Sequence, residues 1–270
     1  FSPEDAEKML AEGNADFVAL GRSQLAEPAW AKKAKEGRAS DIKPCINCLI
    51  GCIDRGMLSH TPIHCTVNPS LYRFECKPVE KAETRKQVAV VGAGPAGCEA
   101  ALTASKRGHQ VTIYEKRCIG GAMIEASKPE NKANIKRLIH YYEDHIMHDP
   151  NITLVKEEVE YETLVHSGYD AVIIAVGGKT RILNVPGIEK NSVIYASDYL
   201  NGSTAVTGNT VVVIGGGITG AETALELNAE GKKVTIVEMT DAFLANFSSA
   251  CQAYLATINE TDIKILIRWM

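Results

Sequence analysis

The sequence lacks an apolar run long enough to span a bilayer, since a membrane helix needs roughly 20 mostly apolar residues. The nearest candidate begins at Val88, and its interruptions are Gly92, Gly94, Pro95 and Glu99. A basic stripe is missing too, and the formal net charge is -4, so neither nucleic acid nor an anionic membrane is a predicted partner. The sequence does not start with a charged segment followed by an apolar one, which predicts an intracellular, cytoplasmic protein.

Aromatic residues are scarce at 6%, and the seven histidines show no spacing typical of metal ligands. Apolar residues nevertheless make up 45% of 270 residues. This is enough for roughly two domains with buried cores, at about 100 to 200 residues each. In an intracellular chain, eight cysteines favour metal binding or redox chemistry over a disulfide framework.

Four of the cysteines follow the pattern C-x2-C-x3-C-x12-C, at Cys45, Cys48, Cys52 and Cys65. Three close thiolates with a fourth that follows later suit a [4Fe-4S] cluster, in which each cysteine binds one iron. Structural zinc sites more often use two separated C-x2-C pairs. The spacing therefore predicts a [4Fe-4S] cluster, with zinc and buried unligated thiols as the alternatives. The other cysteines have no partner spacing and are interpreted as packing or surface residues: Cys76, Cys98, Cys118 and Cys251.

A glycine-rich loop follows an apolar strand predicted at Val88 to Val91. An alanine-rich helix comes after it, and a second predicted strand, Val111 to Tyr114, leads into Glu115, 18 residues beyond the last glycine. Such glycines allow a pyrophosphate to approach a helix N-terminus, and the acid binds the adenosine ribose. The predicted binding residues are Gly92, Gly94, Pro95, Ala96, Gly97 and Glu115.

The same pattern occurs a second time, and its acid, Glu238, again lies 18 residues beyond the last glycine. A glycine-rich turn that binds no nucleotide would not be expected twice with the same spacing. The sequence therefore predicts two dinucleotide sites. The second set of predicted binding residues is Gly215, Gly217, Ile218, Thr219, Gly220 and Glu238. Between the copies, an apolar strand predicted at Ala171 to Val176 runs into Gly177 and marks a domain boundary.

The chain resembles the iron-sulfur flavoenzyme branch of the Old Yellow Enzyme group, which includes 2-enoate reductase and 2,4-dienoyl-CoA reductase. The residues that carry this resemblance are ADFVALGR from Ala15, PCINCLIGC from Pro44 with the later TVNPS, the two glycine loops, and MIEASKPENK from Met123. The resemblance implies an α/β protein made of the end of a TIM barrel, an iron-sulfur segment and two Rossmann-like domains, the second incomplete.

The resemblance also implies domain limits. Residues 1–40 would be the last βα unit of an FMN-binding TIM barrel, with ADFVALGR as its strand, and 41–84 the [4Fe-4S] segment with its charged linker from Lys77. Residues 85–205 would be the FAD-binding domain and 206–270 part of the NAD(H)-binding domain. The chain is thus expected to be an interior piece of a larger enzyme. The further cofactor-binding residues that the resemblance implies are Gly21 and Arg22 for FMN, with Gly121, Ala175 and Gly177.

The implied activity is NADH-dependent reduction of an activated carbon–carbon double bond in a small unsaturated acid or thioester. Electrons would pass from NADH through FAD and the cluster to FMN, and the catalytic residues would lie in the rest of the barrel. The alternatives are a dehydrogenase or electron-transfer relative similar to trimethylamine dehydrogenase, and a non-catalytic scaffold. Glu238 would repel a 2′-phosphate, which predicts a preference for NADH over NADPH. The full-length protein is expected to be a homo-oligomer.

Overall fold

The computed structural model describes residues 1–71, 79–245 and 248–268. Cys76 and the start of the predicted linker from Lys77 lie outside the described residues. The chain folds as two units. The first consists of Phe1–Asn47, His64–Ser127 and Lys132–Lys179, and the second of Cys48–Ile63, Lys128–Asn131 and Thr180–Met270.

The N-terminal part of the first unit is helical. The first helix starts at a capping box, because the Ser2 hydroxyl accepts a hydrogen bond from the Asp5 amide and the Asp5 carboxylate accepts one from the Ser2 amide. Ala6, Trp30 and Ile42 form a small buried cluster. The helices are α1 (Pro3–Ala11), α2 (Arg22–Ala26) and α3 (Trp30–Lys35).

The barrel strand expected in ADFVALGR does not form. Residues 15–20 are neither helix nor strand, Phe17 is 90% exposed, and Arg22 begins α2. A parallel strand needs a neighbour that accepts its backbone hydrogen bonds, and the described residues before position 72 contain no strand. The assignment of residues 1–40 to a barrel therefore stays a prediction.

A parallel four-stranded sheet with the order β3-β2-β1-β4 lies at the centre of the first unit. Its elements are β1 (Gln87–Val91), α4 (Pro95–Lys106), β2 (Gln110–Tyr114), α5 (Met123–Ala126), α6 (Ala133–Met147), β3 (Ile152–Val155), α7 (Tyr161–His166) and β4 (Ala171–Ile174). Val90 and Ile113 are completely buried in one apolar cluster with Ala101 of α4. Short apolar strands that alternate with helices give the doubly wound fold.

The second unit repeats this design with a smaller parallel sheet of order β5-β6-β7. It contains a π-helical segment (Ile50–Leu58), α8 (Ala196–Leu200), β5 (Thr210–Ile214), α9 (Ile218–Ala229), β6 (Lys233–Glu238), α10 (Ser249–Asn259) and β7 (Lys264–Ile267). Ile236 and Ala224 are completely buried in its core. The Asp54 carboxylate accepts a hydrogen bond of 3.0 Å from the Ser249 amide, which joins the π-helical segment to the start of α10.

Most elements that the sequence predicts are confirmed. The strands expected at Val88 to Val91 and at Val111 to Tyr114 are β1 and β2, and each begins one residue earlier. The strand expected at Ala171 to Val176 is β4, which ends two residues earlier. Within the described ranges, every helix is too short or too polar to cross a bilayer.

Candidate functional site

The first glycine loop joins β1 to α4 in a turn that excludes larger side chains. Gly92 has φ +99°, and a Cβ built on it would lie 2.5 Å from the carbonyl oxygen of Ala175. A Cβ on Gly97 would lie 1.8 Å from the carbonyl oxygen of Gly92. Because real Cβ contacts are never this short, both positions need glycine. The loop also lies beside Ala175, as the predicted binding set requires.

Glu115 follows β2 and holds the same loop. One carboxylate oxygen accepts a hydrogen bond of 2.8 Å from the Ala93 amide, and the other accepts one of 2.7 Å from the Arg117 amide. Gly121 has φ +53°, and a Cβ built on it would lie 2.8 Å from the Cα of Gly94. The structure thus gathers the predicted residues of the first set around one turn.

The second glycine loop has the same construction. Gly215 has φ +108°, and a Cβ on Gly220 would lie 1.9 Å from the carbonyl oxygen of Gly215. The Glu238 carboxylate accepts hydrogen bonds of 2.7 Å from the Thr240 amide and 2.6 Å from the Gly216 amide. These two bonds hold the pKa of Glu238 below its ordinary value, so it is ionised at neutral pH.

The residues fit a dinucleotide at each loop. Both helices begin at a glycine cap, Gly94 for α4 and Gly217 for α9, and neither cap offers a side-chain hydrogen bond to the first turn. The N-terminal amides of a helix and its positive dipole end are suited to a pyrophosphate. A carboxylate from the next strand lies beside each loop, which suits a ribose. Predicted residues that form the first turns are Pro95, Ala96, Ile218 and Thr219.

The four predicted cluster ligands are all half-buried and are divided between the two units. Cys45 and Cys65 pack against the core of the first unit, whereas Cys48 and Cys52 belong to the second unit. Across residues 1–71, 79–245 and 248–268, no group of three or more His, Cys, Asp or Glu side chains is arranged to hold a metal ion. The [4Fe-4S] cluster therefore stays a prediction based on the donor set.

Three other predicted site residues belong to segments outside the glycine turns. Gly21 and Arg22 are exposed, and Arg22 begins the five-residue helix α2. Gly177 follows β4 with φ +70° and open space at its Cβ position. Their roles in cofactor binding remain predictions.

Two acid–phenol pairs, one partly buried and one buried, were not predicted. Tyr142 donates a hydrogen bond of 2.8 Å to Glu99, and Tyr254 donates one of 2.6 Å to Glu222. A signal for them exists in the sequence, because each glutamate stands two residues after the last glycine of its loop. The partner tyrosines are 43 and 32 residues away, and local patterns do not identify them.

Residues 86–270 match the family model described as "Pyridine nucleotide-disulphide oxidoreductase". The chain is 44% identical to an NADH oxidase of Thermoanaerobacter brockii, over 88% of this chain and 37% of that protein. It is 34% identical to a cinnamate reductase of Clostridium sporogenes, over 97% of this chain and 40% of that protein. A solved 2-naphthoyl-CoA reductase in complex with 2-naphthoyl-CoA superposes with a TM-score of 0.90 at 31% identity, over 98% of this chain and 41% of that one. The chain thus spans about two fifths of the length of these relatives.

Proposed function

The chain belongs to the pyridine nucleotide-disulphide oxidoreductase family, and from that premise we propose that it is the nucleotide-binding part of an NADH-dependent flavin and iron-sulfur oxidoreductase. The observation that carries the proposal is the tandem of two glycine turns, each with its own helix N-terminus and its own carboxylate. FAD is assigned to the turn at Gly92 and NADH to the turn at Gly215. Bound FAD would supply a hydride acceptor that can also release single electrons.

The protein's own residues bind and orient the two nucleotides. The first-turn amides of α4 and α9 would each hold a pyrophosphate, and Glu115 and Glu238 would each accept hydrogen bonds from a ribose. Glu238 is ionised, and the three residues after it include no arginine. Repulsion of a 2′-phosphate therefore favours NADH over NADPH.

The substrate is proposed for the full-length protein. Two of the relatives are named for reduction of cinnamate and of 2-naphthoyl-CoA, an unsaturated acid and an aromatic thioester. We infer a small unsaturated acid or thioester as the substrate, with the reacting groups outside this chain. The iron-sulfur part of the proposal rests on the four cysteines, and Cys48→Ser should lower the iron content of anaerobically prepared protein without lowering its FAD content.

Anaerobic mixing of the FAD-loaded protein with NADH tests the proposal. We expect NADH to bleach the visible absorbance of the flavin, and NADPH to do so far more slowly. In Glu238→Gln the apparent KM for NADH should rise about tenfold, because a hydrogen bond to a charged acceptor is lost. Glu260→Gln, which makes the same change at the exposed end of α10, is the matched control.

Three outcomes would contradict parts of the proposal. If NADH does not bleach the flavin, the two turns do not support hydride transfer from NADH to FAD. This result would be expected for a dehydrogenase relative, in which the substrate reduces the flavin. Equal use of NADPH, or equal effects of the two glutamine substitutions, would show that Glu238 does not select the nucleotide.

A further inference from the structure

The internal repeat extends beyond the glycines to a glutamate in each copy. Glu99 and Glu222 are each the fifth residue of the helix that follows the loop, α4 and α9. Each accepts a hydrogen bond from a tyrosine on the helix that precedes the third strand of its sheet, Tyr142 on α6 and Tyr254 on α10. Both nucleotide folds thus contain the same acid–phenol pair at the same place.

The second pair is the more deeply buried. Glu222 is 5% exposed and Tyr254 is 7% exposed, and the bond between them is 2.6 Å long. Burial and the hydrogen bond to Glu222 raise the pKa of Tyr254 above its ordinary value. The phenol therefore keeps its proton and donates a hydrogen bond to the carboxylate. Hydrogen bonds to charged acceptors are among the stronger ones in proteins. The pair fixes the first turns of α9 against α10.

In each copy a third residue joins the pair from outside the strand–helix–strand framework. Lys43, two residues before Cys45, forms an ion pair with Glu99, and its ammonium lies 5.8 Å from the centre of the Tyr142 ring. The polar side chain of Asn131 lies near the Tyr254 hydroxyl and lowers the pKa of Tyr254, against the larger effect of burial. Asn131 belongs to the segment 128–131, which lies in the second unit although the residues on both sides of it lie in the first.

We propose that these are matched positioning pairs, in which Tyr142 and Glu99 orient the helix that binds FAD, and Tyr254 and Glu222 orient the helix that binds NADH. Through Lys43 and Asn131, the position of each helix depends on a different segment of the chain. Lys43 connects the FAD helix to the cysteine segment, and Asn131 connects the NADH helix to the segment 128–131. The inference rests on the function proposed above, because it assigns one nucleotide to each helix.

The physical reason is the position of the glutamates, one turn behind the amides that would bind the pyrophosphate. Loss of the phenol hydroxyl would leave the carboxylate, which is buried in Glu222 and partly buried in Glu99, with one donor fewer. The helix would then shift to restore the hydration of that carboxylate. A shift of the helix moves the amides of Gly217 and its neighbours away from their ligand. Affinity for the nucleotide should therefore fall more than the stability of the fold alone would explain.

Three phenylalanine variants test the proposal. Tyr254→Phe should raise the Kd of NADH about tenfold and leave the Kd of FAD unchanged, and Tyr142→Phe should do the reverse. Tyr199→Phe is the matched control, because Tyr199 donates a bond of 2.8 Å to Glu230 at the far, C-terminal end of α9. It should lower the Tm without changing either Kd. The Kd of FAD is measured by reconstitution of the apoprotein, and that of NADH by direct titration.

Each outcome has a defined meaning. Unchanged Kd values in a folded Tyr254→Phe variant, or an equal loss of affinity in Tyr199→Phe, would overturn the proposal. If Tyr254→Phe does not fold, Tyr142→Phe decides, because its bond to Glu99 belongs to the partly exposed pair, and an unchanged Kd of FAD in that variant would overturn the proposal. A wild-type protein that binds no NADH would instead contradict the proposed function, and this inference with it.

Discussion

Gly220→Ala tests the turn geometry most directly. The Cβ of alanine would lie 1.9 Å from the carbonyl oxygen of Gly215, whereas real Cβ contacts are not shorter than 3.0 Å. The contact must therefore open by about 1.1 Å. The atom that has to move is backbone, so no flexible side chain can absorb the displacement.

The expected cost has two parts. Overpacking against a backbone atom should destabilise the second unit by about 3 kcal/mol, which corresponds to a fall in Tm of roughly 10 °C. Displacement of the loop by about 1 Å should also weaken NADH binding by about 100-fold, because groups that must be positioned tolerate little misplacement. Differential scanning calorimetry measures the first effect, and titration with NADH measures the second.

Gly208→Ala is the matched control in the same unit. The nearest atom to its added Cβ would be 3.7 Å away, an ordinary contact, and its φ is not positive. The control should keep the wild-type Tm and Kd. If Gly220→Ala behaves like this control, the close approach of Gly220 to Gly215 does not exist and the reasoning about the loop is wrong.

Three further predictions concern titration and packing. Because its pKa is lowered in the folded state, ionised Glu238 stabilises the fold at pH values above its ordinary pKa, and this stabilisation is lost as the pH falls through the lowered value. The fall in Tm at acid pH should therefore be less steep in Glu238→Gln than in the wild type. An equally steep fall would refute this. Burial raises the pKa of Cys98 to about 12, so iodoacetamide at neutral pH should label the exposed Cys118 and spare Cys98 in the folded protein, as mass spectrometry can check. Ile236→Ala removes a completely buried side chain and should lower the free energy of unfolding, measured with urea, by about 3 kcal/mol. Ile267→Ala, at a site 43% exposed, should lower it by less than about 1 kcal/mol. Similar losses in the two variants would contradict the assigned core.

Local patterns predict the strand–turn–helix elements well, because their signals lie close together in the sequence. The spacing of Gly92, Gly97 and Glu115 is a local property, and the structure places all three at one turn. The helix α10 likewise begins directly after Ser248, whose hydroxyl accepts a hydrogen bond from the Cys251 amide. In such segments, apolar periodicity and capping chemistry agree with the tertiary fold.

The features that local patterns do not predict depend on distant residues. The strand expected in ADFVALGR needs neighbouring strands, and the described residues before position 72 include none. Tyr142 and Glu99 meet across 43 residues, and no local pattern identifies such a pair. The cluster ligands depend on the placement of two segments, since Cys45 belongs to the first unit and Cys48 to the second.

The division of the chain at residues 128–131 has a consequence for how such proteins recombine. The second unit is discontinuous in sequence, because this short segment belongs to it although the surrounding chain builds the first sheet. A gene crossover that exchanges only residues 180–270 would separate Tyr254 from its neighbour Asn131. Recombination should therefore favour exchange of both units together. Chimaeras joined near position 180 should regain stability of the second unit when residues 128–131 come from the same parent as residues 180–270.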